Sequence, residues 1–195
     1  METPELTPNF LHGRRVRLAA FDAQAAAAHM AQHNADSQMM RLLDSEWPHL
    51  SSTKQQQTFL EGIFDEAKTG FFGFSIRRLE DDAFLGDLSL AMNGIRWPQQ
   101  EAFLGLGIYD REHWGQGYGT DAMRLALRYA FDELNLRRVS LTVFAYNERA
   151  RRTYLRVGFR EEGRVREAIR RDGQRWDIIY MGVLRDEWRA ALEVA

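Results

Sequence analysis

The run Trp114-Gly115-Gln116-Gly117-Tyr118-Gly119-Thr120 decides how this chain folds, once it is read with its flanks. Before it, Phe103-Leu104-Gly105-Leu106-Gly107-Ile108-Tyr109 is an apolar run of strand length. After it, Asp121 to Leu134 carries apolar residues at helical spacing. A glycine-spaced turn therefore joins a strand to a helix. Glycines let the backbone curl there, so that several N–H groups point the same way. The helix behind them adds its unpaired N-terminal donors and the positive end of its dipole. Such a junction suits a phosphate or pyrophosphate. No Gly-Lys-Ser/Thr follows, so it is not a Walker loop. The glycines run G-x-G-x-G with no acidic ribose ligand downstream, so it is not the dinucleotide fingerprint. The bland alternative is an ordinary strand–helix turn.

Working outward, Gly13 to Phe21 alternates as a first strand, and Asp22 can cap a helix over Ala23 to His33. Trp47-Pro48 breaks the pattern, and Ser51 or Ser52 can cap a second helix, Thr53 to Ala67, with Phe59, Ile63 and Phe64 on one face. Phe71–Leu79 and Ala83–Asn93 read as strands joined by the acidic turn Glu80-Asp81-Asp82. Glu101 to Tyr109 forms the fourth strand and Arg138 to Phe144 the fifth. Asn147 to Val157 reads as a helix ended by a left-handed Gly158. Phe159–Ile169 and Trp176–Leu184 close the chain as a hairpin across Asp172-Gly173, followed by a short helix over Asp186 to Leu192. This order predicts an α+β fold in one domain, residues 1–195. Its sheet is mixed, mostly antiparallel, of about seven strands, with helices on both faces.

Composition narrows the function. The 195 residues are 45% hydrophobic and 28% charged, which is globular rather than disordered. A net charge of −2 argues against general nucleic-acid binding, which works by neutralising many phosphates. The absence of cysteine excludes disulfides, thiolate metal ligands and a cysteine nucleophile. The five histidines show no metal-ligand spacing, so no metal is expected. No signal peptide or membrane-spanning run is read, and the expected location is the cytoplasm.

Several side chains could carry chemistry. Asn147, Ala150 or Arg151, and Tyr154 share one face of their helix, so an amide and a phenol could line one cleft. The bland reading is an N-cap Asn and a core Tyr. Arg149, Arg151, Arg152 and Arg156 make this helix basic. One or two of them could reach a phosphate, Arg151 and Arg152 being the pair put forward, and a solvated basic face is the default for the rest. Asp87, Glu101, Asp110, Glu112 and Asp177 are candidate general bases on or near strands, and His113 beside the turn is a candidate base or phosphate contact.

The combination resembles one family. Strand, WGQGYGTDA, helix, strand and then NERARRTYLRVGF is similar to the GNAT N-acetyltransferases. Within them it looks closest to the branch of ribosomal-protein N-terminal and spermidine N-acetyltransferases, which the tail EEGRVREAIRRDGQRWDIIYMGVL also resembles. The family pattern has Gln or Arg where this chain has Trp114, which calls one side-chain contact into question but leaves backbone binding intact.

The resemblance implies acetyl-coenzyme A as donor co-substrate. The backbone of Trp114, Gly115, Gln116, Gly117, Tyr118, Gly119 and Thr120 would hold its pyrophosphate. The open edge of the fourth strand at Leu106, Ile108 and Tyr109 would pair with the pantetheine arm. Asn147 would bond that arm from the other side. Gly105 and Gly107 suit a close approach or a bulge. Tyr154 would be the general acid for the leaving thiolate, and Glu101, Asp87 or Asp177 the base. The acceptor would be a protein N-terminus, a polyamine, another small amine or an amino-sugar antibiotic, and the helices over Ala23 to Ala67, with Trp47, would frame it. A homodimer accords with the family. The rival readings are a non-catalytic acyl-coenzyme A sensing module and an unrelated nucleotide-binding protein.

Overall fold

The computed structural model describes residues 9–43, 50–64, 70–92 and 99–193. Its strands are β1 (Val16–Ala20), β2 (Phe71–Arg78), β3 (Phe84–Ala91), β4 (Glu101–Ile108), β5 (Arg138–Phe144), β6 (Arg160–Arg171) and β7 (Gln174–Leu184). They form one sheet in the order β1-β2-β3-β4-β5-β7-β6. Every neighbouring pair is antiparallel except β4–β5. The mixed, mostly antiparallel seven-stranded sheet expected from the sequence is therefore the one observed.

Among the described residues six α-helices accompany it: α1 (Ala23–His33), α2 (Ser37–Leu43), α3 (Thr53–Ile63), α4 (Tyr118–Arg128), α5 (Glu148–Arg156) and α6 (Arg185–Glu193). The caps explain several of their starts. Asp22 accepts from the Ala25 N–H at the head of α1. Of the two serines before α3 it is Ser52 that caps, in a reciprocal capping box with Gln55. Asn147 accepts from the Ala150 N–H at the head of α5. Gly158 ends α5 with φ +104°, and Asp172-Gly173 turn the last hairpin with φ +52° and +73°. Both signs match a tight type I′ turn.

Three sequence expectations change. The helix read from Asp121 starts at Tyr118, directly on the glycine turn, and after Arg128 it passes into a π-helical turn over Tyr129–Glu133. The helix α2 was not expected. On α3 the buried residues are Gln56 and Leu60, while Phe59 is 59% exposed. Phe64 packs on Phe21 at 3.9 Å between ring centroids. Trp47, Pro48, Asn93 and positions 65–67 lie outside the described residues.

The core falls into two clusters. The larger joins sheet residues such as Leu88, Leu90 and Leu104 to Ala122, Met123 and Leu127 of α4, Tyr154 of α5 and Trp188 of α6. The smaller joins Phe84 and Tyr109 to Ala26, Ala27, Met39 and Leu60 of α1–α3. Burial of these apolar groups against two helical layers is the main favourable term holding the sheet.

One feature of the sheet makes the site. β4 pairs with β5 only over Glu101–Phe103 against Arg138–Ser140. Beyond that, β4 follows β3 as far as Ile108, while β5 follows β7 as far as Phe144. The two central strands thus part, and from Leu104 onward the β5-facing edge of β4 has no strand partner.

Candidate active site

The gap between the parted strands holds a cavity of about 290 Å³. β4 contributes Leu106, Gly107 and Ile108, and α2 lays Met39, Leu42 and Leu43 over it. The turn contributes Trp114, Gly115, Gly117, Tyr118, Gly119 and Thr120. α5 and its cap contribute Asn147, Arg149, Ala150, Arg152, Thr153, Tyr154 and Arg156. The spacing 149–153–156 shows which face of α5 looks inward.

The turn owes its shape to two left-handed glycines, Gly115 at φ +76° and Gly117 at φ +88°. Gly117 is the N-cap of α4 and has no side chain to cap with. The Asp121 N–H is the first bonded within the helix, to the Gly117 carbonyl. The N–H groups of Tyr118, Gly119 and Thr120 precede it, so they have no acceptor within the helix, and these residues line the cavity. Gly119 lies against β4, where an added Cβ would sit 3.6 Å from Leu106 and 3.8 Å from Ile108. On β4, the alternative of a bulge at Gly105 and Gly107 is not seen, since its register with β3 runs without a shift. At Gly107 the near neighbour is α2, since an added Cβ would lie 2.9 Å from a Leu43 methyl.

On the opposite wall, Asn147 is nearly buried, with its Oδ1 committed to the α5 cap. Its Nδ2 has no protein partner among the described residues, so capping and ligand binding are compatible roles. Tyr154 is buried, and burial pushes its phenol up to about 12 against the opposing charge of Arg149. It is a protonated donor across the physiological range.

Four expected site residues stand elsewhere. Arg151 points to the other side of α5, in ion pairs with Glu161 at 2.9 Å and Glu148 at 3.6 Å. Gln116 is exposed and donates to the Glu112 carbonyl. Tyr109 is buried behind β4, and its hydroxyl donates to Asp87. Glu101 sits at the far end of β4, accepting from the Ser140 hydroxyl at 2.6 Å and paired with Arg138 at 3.4 Å. Five residues of extended chain separate it from Leu106, roughly 16 Å. From the sequence Arg149 and Arg156 fall with the solvated basic residues, and Thr153 and the α2 helix carry no assignment of their own; the i, i+4, i+7 spacing of Arg149, Thr153 and Arg156 is the signal that joins them.

Of the candidate bases His113 lines the cavity, while the carboxylate of Asp87 lies one strand behind it. Asp87 is the cross-strand partner of Gly107, so the two share a face of the sheet. Burial raises its carboxyl to about 6, and the Tyr109 hydrogen bond only partly offsets this. Asp177 instead accepts from the Glu167 N–H at 3.0 Å within the last hairpin. Asp110 stands between His33, whose Nε2 is 2.5 Å from Oδ1, and His113, whose Nδ1 is 3.7 Å from Oδ2. Ligand atoms of Asp110, Glu112 and His113, neighbours in the chain, come within 4.8 Å of one another. The acidic turn is neutralised locally, Asp81 by Arg78 and Asp82 by Arg17, and it does not line the cleft.

The parted strand pair, the glycine turn and the facing helix with its amide and phenol thus line one cleft. The chain belongs to the acetyltransferase (GNAT) domain family, whose model matches residues 15–160. It is 34% identical over 116 residues to the "Putative ribosomal N-acetyltransferase YdaF" of Bacillus subtilis, covering 60% of this chain and 62% of that one. It is 34% identical over 83 residues to the spermidine N(1)-acetyltransferase of Escherichia coli, covering 43% and 45%. These matches therefore span less than two thirds of either relative. The fold matches spermidine N-acetyltransferase from Vibrio cholerae, solved in complex with CoA and spermine, at a TM-score of 0.74. That superposition covers 89% of this chain and 98% of that one, at 23% identity. Among the described residues no helix is long and apolar enough to cross a membrane.

Proposed function

We propose that this protein moves an acetyl group from acetyl-coenzyme A to an amine by direct attack. The observation that carries the reading is the parted β4–β5 pair. It leaves a strand edge for an extended pantetheine arm, between a turn with three free N–H groups and a wall bearing Asn147 and Tyr154. The neutral amine nitrogen attacks the thioester carbonyl and forms the new C–N bond. A free β4 N–H stabilises the oxyanion that develops. The C–S bond then breaks, and the Tyr154 hydroxyl gives its proton to the departing thiolate. The proton lost by the amine goes to Asp87, through water, because Asp87 lies one strand behind the cleft lining.

The acceptor class belongs to this proposal by family resemblance: a protein N-terminus, a polyamine or another small amine. So do a single N-acetyltransferase domain over 1–195, a homodimer, a cytoplasmic location and the lack of a metal requirement. A second reading, an acyl-coenzyme A-binding module without turnover, is favoured by one observation: none of the candidate carboxylates lines the cavity, which leaves His113 as its one lining candidate base. Thiol release from acetyl-coenzyme A separates the two. Spermidine, peptides starting with Ala or Ser, free amino acids and an aminoglycoside are offered in turn. Release with one acceptor class supports the transferase. Binding of the donor without release for any acceptor supports the module.

A further inference from the structure

We infer that Arg149, lying over the Trp114 indole, is the cation that docks the donor's pyrophosphate against the glycine turn. The inference rests on acetyl-coenzyme A being the donor. The guanidinium carbon of Arg149 is 3.4 Å from the centroid of the Trp114 ring, a stacking distance. That ring is itself fixed, because its Nε1–H donates to the Ile108 carbonyl at 2.7 Å. The end of β4 therefore sets the platform, the platform sets the arginine, and Gly115 follows Trp114 directly in the chain.

Stacking engages the face of a guanidinium and leaves its in-plane N–H donors free, and these match phosphate oxygens in a fork. The surroundings of Arg149 call for such an anion. It is half-buried and lines the cavity. Among the described residues no carboxylate pairs with it, whereas its neighbour Arg151 is held by two. Burial lowers its pKa, the signature of a cation short of counter-charge. The turn opposite offers N–H donors but no charged side chain, since Trp114 itself carries none. An arginine brought in from α5 thus supplies the charge, and the indole orients it.

The test is calorimetric binding of three probes to the wild type and to Arg149→Met: coenzyme A, 3′-dephospho-coenzyme A and pantetheine. The expected result is a loss of tenfold or more for both nucleotide probes, equal within error, with pantetheine unchanged. Trp114→Phe, which keeps an aromatic face, is expected to retain most of the affinity, and Trp114→Leu to lose part of it. In the Trp114→Leu background, adding Arg149→Met should cost less than it does alone. Unchanged coenzyme A binding by Arg149→Met overturns the inference. So does a loss confined to coenzyme A, which assigns Arg149 to the 3′-phosphate, or an equal loss for pantetheine, which shows general damage to the cleft. Failure of the wild type to bind coenzyme A overturns instead the donor reading on which the inference stands.

Discussion

The Tyr109 hydroxyl donates a hydrogen bond to the Asp87 carboxylate, tying the residue that follows β4 to the middle of β3. The pair lies under the α1–α3 layer, one strand behind the cavity wall at Gly107. Burial holds the Asp87 carboxyl at about 6, above its ordinary 3.8. The folded chain therefore keeps a proton that the unfolded chain releases between about pH 4 and 6. With the native state binding more protons, stability falls as pH rises through that window, by about 3 kcal/mol in all. Asp87→Asn still accepts from Tyr109 and removes the titration. Urea unfolding of both proteins at pH 4 and pH 8 should show the variant gaining on the wild type at pH 8. If Asp87 takes the amine's proton, wild-type kcat/KM rises through about pH 6, and the variant loses about 10²–10⁴-fold in turnover. A variant with full turnover removes Asp87 from the mechanism.

Tyr154 is tested by removing one oxygen. Its hydroxyl has no hydrogen-bond partner among the described residues, so Tyr154→Phe should change stability by less than about 1 kcal/mol. Acetyl-coenzyme A affinity should hold within about twofold, while turnover falls by about 10²–10⁴-fold. The split between Kd and kcat is the decisive reading. Equal turnover would mean that the thiolate leaves without help from the phenol.

The glycines of the turn are not equivalent, and substitution should separate them. Gly117 needs a left-handed backbone at φ +88°, although an added Cβ would meet nothing nearer than Arg15 at 3.6 Å. Gly117→Val therefore strains the backbone by about 1–2 kcal/mol and places a side chain in the phosphate's approach. Donor affinity should fall by more than about tenfold. Gly119 is helical, and its Cβ would make ordinary contacts with Leu106 and Ile108. Gly119→Ala should leave stability unchanged or raise it by about 0.5–1 kcal/mol. Thermal melts with and without coenzyme A distinguish the two outcomes.

What could be read in the sequence follows from how local each signal is. The turn, the capping residues Asp22, Ser52 and Asn147, the Asp172-Gly173 hairpin and the alternating strands all act within a few residues, and all are found in place. The seven residues of α2 are too few to show a helical period. The parting of β4 from β5 has no local signature, because it depends on where each strand's other neighbour leads it. Arg149 and Arg151 illustrate the same limit. Both are arginines on one short helix, and Glu161 on β6 draws one of them outward. Glu101 and Asp87 were equal candidates as strand carboxylates, and only the register showed which end of the sheet each occupies.

The buried Asp121 carboxylate, in the first turn of α4, accepts from the backbone N–H groups of Arg15 at 2.7 Å and Val16 at 3.1 Å. One side chain thus anchors the start of α4 to the start of β1. The fit leaves no spare room, since a Cβ on Gly13 would lie 2.4 Å from Asp121 Oδ2. Asp121→Ala strands the buried Val16 donor and leaves the partly exposed Arg15 donor to water, and should cost about 2 kcal/mol. Both donors meet the same oxygen, Oδ2, so Asp121→Asn can still accept from both, loses only the charge and should cost about 1 kcal/mol. Because the same helix start presents the free N–H groups to the cavity, loosening the anchor should also weaken coenzyme A binding. Asp121→Asn, measured well below its melting temperature, should raise Kd while leaving the kcat of the saturated protein near the wild-type value. A Kd unchanged in a destabilised Asp121→Asn protein would show that the turn keeps its shape without the anchor.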